Sequence, residues 1–227
     1  MTHRFDFLVI GTGIAGLSYA LKVAELGTVG IITKKERAES NTNYAQGGVA
    51  AVMSKLDSFD LHIKDTLATG CGLSHRDAVD VLVKEGPTRL HELVDIGVEF
   101  TRKPDGELDL GREGGHSINR IVHSRDLTGR EIERGLIAKT TGHPRIRTFE
   151  NHTAIELLTN HHTVQAQALD HGNIQCWGAY ALDERGRRVD TFVLLTPGVT
   201  NDGTFGAISF RGMPGANAFL QDGNDTT

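Results

Sequence analysis

The chain has 227 residues with 38% hydrophobic content, enough for one large domain or two small ones around a real core. Its 24 Lys and Arg stand against 29 Asp and Glu, a formal net charge of −5. With no long block of like charge, that balance argues against nucleic acid and favours a small anionic or neutral molecule as partner.

Cys71 and Cys176 lie far apart without CxxC spacing, which indicates neither a disulfide framework nor a thiolate metal site and predicts buried free thiols. The opening residues Met1 to Asp6 lack the apolar core and cleavage site of a secretory signal. Nowhere do about 18 apolar residues run together as a membrane span requires. A reducing cytoplasm is the expected compartment. The 11 histidines include His161, His162 and His171 in a polar stretch without an HExxH pattern. Most are expected at the surface, and no metal site is expected.

Phe5 to Ile10 is a short apolar run that a parallel sheet can bury on both faces, so it predicts a strand ending at a glycine turn. From Ile14 to Leu26 the residues Leu17, Ala20, Leu21 and Ala24 share one helix face, with Gly27 as the stop. Val29 to Thr33 supplies the next strand, completing a β-α-β unit of about 33 residues.

The turn reads Gly11-Thr12-Gly13-Ile14-Ala15-Gly16. Gly11 permits the tight bend, Gly13 lets the backbone approach a pyrophosphate, and Gly16 lets the helix pack closely on the strand. The helix N-terminus then offers N–H groups and partial positive charge to phosphates. The acid that usually holds the adenosine ribose about twenty residues further on is missing, and Thr33-Lys34-Lys35-Glu36 stands there. Two readings are open at this point: Lys34 and Lys35 meet the 2′-phosphate of NADP, or a flavoprotein variant uses Lys34 near the ribose or phosphates.

Residues 36 to 58 show no clean period and carry Ser40-Asn41-Thr42-Asn43-Tyr44-Ala45-Gln46-Gly47-Gly48-Val49-Ala50-Ala51, which predicts a functional loop. Helical periodicity returns around Leu61, Ile63 and Leu67, then from Ala78 through Leu93 with Val79, Leu82, Val83, Leu90 and Leu93 on one side. Pro87 is expected to break that stretch into two helices. Gly97 to His123 is an extended excursion carrying Gly111-Arg112-Glu113-Gly114-Gly115-His116-Ser117, and a helix is expected from Leu127 to Lys139. The remainder predicts strands at Ile146 to Phe149, Ala154 to Leu158, Val164 to Leu169, Cys176 to Leu182 and Val189 to Leu195, with a turn at Asp183-Glu184-Arg185-Gly186.

The glycine turn, the Asn41 to Ala51 segment and Arg112-Glu113-Gly114-Gly115-His116-Ser117, in this order, resemble the L-aspartate oxidases of the succinate dehydrogenase and fumarate reductase flavoprotein group. The resemblance runs from about Phe5 to Leu195. It resolves the cofactor as FAD and implies an α/β fold: a Rossmann-like FAD-binding domain with a parallel sheet and an added β-meander. The cofactor residues it implies are Gly11, Thr12, Gly13, Ile14, Ala15, Gly16, Lys34, Asn41, Thr42, Asn43, Tyr44, Ala45, Gln46, Gly47 and Gly48. Physically, a paired-glycine loop can lay its N–H groups against an isoalloxazine ring while Gln46, Asn and Thr side chains bond the ring edge.

Respiratory members of the group usually carry a histidine bonded covalently to FAD. The matching position here is Asn41, which implies non-covalent FAD. The resemblance gives Glu113 the catalytic role, facing the α-ammonium of the substrate, where a carboxylate is electrostatically favoured. His116, Arg120 and His123 are candidates to add positive charge for a dicarboxylate, the plainer reading of each being a solvated loop charge. The strand around Ala154 is similar to the one that passes beside the adenine, although a plain core strand explains it nearly as well.

The implied activity is oxidation of L-aspartate to iminoaspartate with oxygen or fumarate as acceptor, the first step of de novo NAD biosynthesis, with a functional link to quinolinate synthase. Residues 1–195 are expected to be the N-terminal part of the FAD-binding domain. Residues 196–227 are expected to be a divergent, poorly ordered tail. The capping and C-terminal helical domains of the family are not in the sequence, so a non-catalytic FAD-binding fragment is the alternative. A fumarate reductase-like flavoprotein is a less favoured third reading.

Overall fold

The apolar run at the N-terminus serves two sheets, not the one strand expected. In the computed structural model, which describes residues 1–125, 127–159, 175–194, 199–201, 208–210, 220–221 and 224–225, β1 (Thr2–Phe5) and β2 (Phe7–Ile10) are separated at Asp6. The Asp6 carboxylate accepts from the Thr28 N–H at 2.7 Å and the Thr28 hydroxyl at 2.8 Å. Its own N–H donates to Thr28 Oγ1 at 3.1 Å. A polar latch to a residue distant in sequence therefore breaks the run, and counting apolar residues does not register it.

The chain divides into two compact units, Met1–Glu39 with Thr140–Thr227, and Ser40–Lys139. In the first, β2, β3 (Val29–Thr33) and β7 (Ile146–Glu150) form a parallel sheet. Every residue of β3 is buried, as a central parallel strand requires. β1 pairs in parallel with β10 (Arg188–Leu194), which continues antiparallel through β9 (Cys176–Asp183) to β8 (His152–Thr159). This is the expected meander. Ala154 pairs with Ala181, and the register shifts between Ala154 and Glu156. Phe5, Ile32, Phe149, Ala181 and Phe192, drawn from both sheets, pack as one core cluster that Ala154 also joins.

α1 (Ile14–Val23) links β2 to β3 and buries Leu17, Ala20 and Val23, with Ala24 buried just beyond it. Leu21 is only half-buried. Gly27 does not end the helix with a left-handed backbone. A Cβ there would lie 2.7 Å from Asp6 Oδ2, so the glycine clears space for the latch.

In the second unit β4 (Val49–Ala50), β6 (Ile121–Val122) and β5 (Leu110–Gly111) make a short antiparallel sheet. Three helices accompany it: α2 (Phe59–Thr69), α3 (Arg76–Asp95) and α4 (Thr128–Thr140). Ser58 caps α2, its hydroxyl oxygen accepting from the Leu61 N–H at 3.2 Å. α3 runs unbroken through Pro87, against expectation. An interior proline forfeits a backbone hydrogen bond and costs about 3 kcal/mol. Burial of Val79, Val83 and Leu90 offsets it, and Gly86 has no Cβ for the proline ring to crowd. The buried stripe is narrower than expected, with Leu82 67% exposed. Ile63, Val79 and Val83 form the cluster joining α2 to α3.

Both cysteines are free, but exposed and not buried. His62 and His152 are buried while His75 and His91 are exposed. Val164 to Leu169, His161, His162 and His171 lie outside the described residues. Beyond residue 195, Val199–Asn201 pairs with Ile208–Phe210 and Leu220–Gln221 with Asn224–Asp225, both antiparallel. No described helix is long and apolar enough to cross a membrane.

Candidate functional site

In the first unit the glycine turn has the geometry its spacing predicts. Gly11 takes φ +101, open to glycine and strained for other residues, while its N–H donates to the Ile32 carbonyl at 2.8 Å. A Cβ on Gly16 would run into the Gly11 carbonyl oxygen and sit 3.3 Å from Val9 Cγ1, so only glycine lets α1 approach β2 this closely. Gly13 is the N-cap with extended backbone, no side-chain cap and no acidic residue in the first turn. That leaves the positive end of the helix without a competing anion from its own side chains.

Thr12 is buried and its hydroxyl donates to Thr33 Oγ1 at 3.2 Å, tying the turn to the end of β3. Sequence reasoning did not single out Thr33. Lys34 follows it and is exposed, as are Ile14 and Ala15. A steric cradle and an uncapped helix start fit a dinucleotide pyrophosphate.

In the second unit Asn41 to Gly48 forms a tight loop. Its turn bonds run from Asn43 N–H to Ser40 O at 3.1 Å, Tyr44 N–H to Asn41 O at 3.3 Å and Ala45 N–H to Thr42 O at 3.1 Å. The loop is seated on the start of α4: the Gly129 N–H donates to Ala45 O at 3.0 Å. A Cβ on Gly129 would collide with Thr42 O and lie 2.7 Å from Ala45 Cβ. Asn41, Tyr44, Ala45, Gln46 and Gly47 are exposed, whereas Thr42, Asn43 and Gly48 are half-buried. A Cβ on Gly48 would lie 2.6 Å from Val122 O, so glycine is needed where the loop enters β4. At Gly47 the nearest group is Glu113, whose Oε1 is 3.5 Å from the place a Cβ would occupy. The fold therefore brings the exposed Glu113 carboxylate to the loop.

The segment carrying Glu113 is fixed by buried charge. Arg120 has 0% exposure. Its Nε and Nη2 donate to the two oxygens of Asp57 at 2.9 Å each, and Nη1 donates to Asp65 Oδ2 at 2.8 Å. The same Nη1 lies 3.1 Å from His116 Nδ1. The Ser117 N–H and hydroxyl donate to Asp65 Oδ2 at 2.9 and 2.8 Å. Gly115 takes φ +85, and a Cβ there would lie 2.5 Å from Thr69 Oγ1.

Burial pushes the Asp65 carboxyl up, but Ser117 and Arg120 outweigh it and hold the group at about 2. Arg120 is thus spent on Asp57 and Asp65 and holds the Glu113 segment in place; it does not present its charge to a substrate. His116 is half-buried, edge-on to His62 at 5.7 Å. Burial, then Arg120 and His116, lower the His62 imidazole and favour its neutral form. His123 lies 3.7 Å from Asp109. Asp57 and Asp65 carry no local mark in the sequence, because they meet only through Arg120; Ser117, already within the Arg112–Ser117 motif, bonds Asp65 directly.

Among the described residues, His152, Asp183 and Asp190 bring potential metal-ligand atoms within 4.8 Å. Asp190 is already engaged by the N-terminal amine at 2.8 Å, Arg188 at 3.0 Å and His3 at 3.2 Å, and Asp183 by Arg188 at 3.2 Å. With cations in place around both carboxylates, the cluster is an ion network.

Residues 6–219 match the family model for the FAD binding domain. L-aspartate oxidase 2-b, chloroplastic, of Nicotiana tabacum is 48% identical over 193 residues, covering 85% of this chain and 28% of that protein. L-aspartate oxidase of Acinetobacter baylyi is 41% identical over 192 residues, covering 85% of this chain and 35% of that protein. The chain thus spans about a third of the length of these relatives.

Among solved structures, E. coli quinol fumarate reductase FrdA superposes with TM-score 0.76 at 29% identity, over 86% of this chain and 32% of that one. Mycobacterium smegmatis Sdh1 in complex with UQ1 gives 0.75 at 30%, over 85% and 33%. The glycine turn, the parallel sheet with its meander and the match from residue 6 to 219 agree: the chain belongs to the FAD binding domain family.

Proposed function

We propose that this chain is the FAD-holding part of an L-aspartate oxidase, which converts L-aspartate to iminoaspartate with oxygen or fumarate as electron acceptor. The observation that carries the substrate assignment is the Glu113 carboxylate at Gly47 of the loop. An α-ammonium group beside that carboxylate is attracted, whereas a dicarboxylate lacking the amine leaves it without a partner.

FAD, when bound, supplies the two-electron acceptor. Gly11 to Gly16 and Lys34 are assigned to its pyrophosphate and adenosine side, and Asn41 to Gly48 to its ring. The Asn41 amide offers no nucleophile comparable to imidazole, so the flavin is held without a covalent bond. Residues 1–195 are taken as the N-terminal part of this domain and 196–227 as a divergent tail, with the family model continuing past that boundary to residue 219. This reading implies the first step of NAD biosynthesis, a functional link to quinolinate synthase, and a cytoplasmic location. The Nicotiana relative named chloroplastic makes the plastid the competing site.

A second reading has its own support: spanning 28% of a relative's length, this chain alone is a non-catalytic FAD-binding fragment. Aspartate-dependent bleaching of flavin absorbance separates the two, since a binding fragment holds FAD without that response. In a version of full family length, Glu113→Gln is expected to reduce aspartate oxidation at least about tenfold more than fumarate reduction, the scale of one lost charge contact. Equal losses of both activities would favour the fumarate reductase-like reading. Flavin remaining with the acid-precipitated chain would overturn non-covalent binding.

A further inference from the structure

Helix α4 carries a buried ionisable group that the proposed function does not use. Glu133, on α4 between Ile132 and Leu136, is 1% exposed, and neither of its carboxyl oxygens completes a hydrogen bond among the described residues. A buried carboxyl whose one polar neighbour is a hydroxyl is costly when charged and tolerable when protonated. Burial is the main influence on it and raises it to about 7; the Ser40 hydroxyl, the second, favours the charged form.

The charged neighbours are engaged elsewhere. On its own helix Glu131 and Arg134 pair at 2.7 Å, Arg134 also donates to Gly97 O at 2.7 Å, and Arg130 is exposed. From the adjoining segment the Glu99 N–H donates to Glu131 at 2.8 Å. Ser40 opens the loop whose next turn is seated on the same helix through Gly129 and Ala45.

We propose that Glu133 is a positioning residue for the Ser40–Ala45 loop: as a neutral acid it keeps the loop seated on α4, and loss of its proton to solvent loosens that seat. When the loop lifts, Glu133 meets water and returns toward its ordinary value of 4.5. The seated state therefore holds a proton that the lifted state has lost. Seating weakens as pH rises from the ordinary value toward the raised one, and levels off above it. For the flavin the consequence rests on the reading of Asn41 to Gly48 as ring contacts: a loosened loop holds FAD less tightly in the same window.

Amide hydrogen exchange of Asn43, Ala45 and Gly129 in the 227-residue chain, corrected for intrinsic rates, tests the seat without any cofactor. Protection is expected to fall about tenfold or more between about pH 5 and pH 7 in the natural protein. It should stay flat in Glu133→Gln, the neutral isostere. A flat natural profile, or an equal fall in the variant, overturns the proposal. If the variant does not fold, a carboxyl carbon NMR titration of the natural chain decides: a Glu133 midpoint near neutrality supports the inference, and one at the ordinary glutamate value overturns it. Added FAD should raise protection of the same amides. FAD that changes nothing while the pH dependence persists would remove the flavin reading and leave the proton-linked seat standing.

Discussion

The two units hold their proposed site residues by opposite means. In the first, Gly11 and Gly16 work by having no side chain, and a fully buried apolar strand keeps the turn in place. In the second, Glu113 is held by a buried arginine shared between two carboxylates and by Ser117 on one of them. A site built from backbone approach tolerates salt and pH but no added atoms. One built from buried charge accepts small changes of shape but not the loss of a partner.

Three changes probe this contrast, from the largest expected effect to the smallest. Arg120→Ala leaves two carboxylates without their shared cation and should cost about 3–5 kcal/mol in urea unfolding. A loss under about 1 kcal/mol would show that the network does not hold the second unit. Gly16→Ala should cost about 1–3 kcal/mol, because its Cβ meets the backbone oxygen of Gly11 and not a side chain that can move aside. FAD uptake should fall with it, and unchanged stability and flavin content together would refute close approach as the reason for that glycine.

The smallest effect is set by acid. Asp65 is held at about 2 against an ordinary 3.8, so its contribution is complete above the ordinary value and is lost as pH falls from near 4 toward 2. Solvent screening leaves on the order of 1 kcal/mol at stake. Asp65→Asn should flatten that part of the stability profile, while Gly16→Ala should leave its slope unaltered.

Much of the first unit was legible because its information is local. Strand, glycine turn and helix follow within a few residues, and the need for glycine at Gly11 and Gly16 follows from their spacing, whereas Gly27 makes room for Asp6 and does not act as the stop its position suggests. The Asp6 latch has no local signature because its partner is Thr28, across the helix. At Pro87 buried packing along α3 outweighs the local rule that predicts a break.

The Glu113 segment was found by its motif, but its support was not. Asp57 and Asp65 lie 63 and 55 residues from the arginine that unites them. Arg120 itself reads as loop charge until its burial is seen. Glu133 did leave a signal, sharing a helix face with Leu136 at a three-residue spacing, where a carboxylate on an apolar face invites attention.

The latch at Asp6 also governs where the chain can absorb change. β1 answers to the meander through Phe5 and Leu194, and β2 to the parallel sheet through Phe7 and Val29. Because strand faces alternate residue by residue, one inserted residue before Asp6 would turn β1 over and expel Phe5 from the aromatic cluster. The same insertion would leave Phe7 through Gly16 in phase. After Asp6 it would carry Gly11 out of line with Ile32. Asp6 thus works as a frame boundary: a length change before it disturbs only the β1 pairing and Phe5, and one after it disturbs the glycine turn.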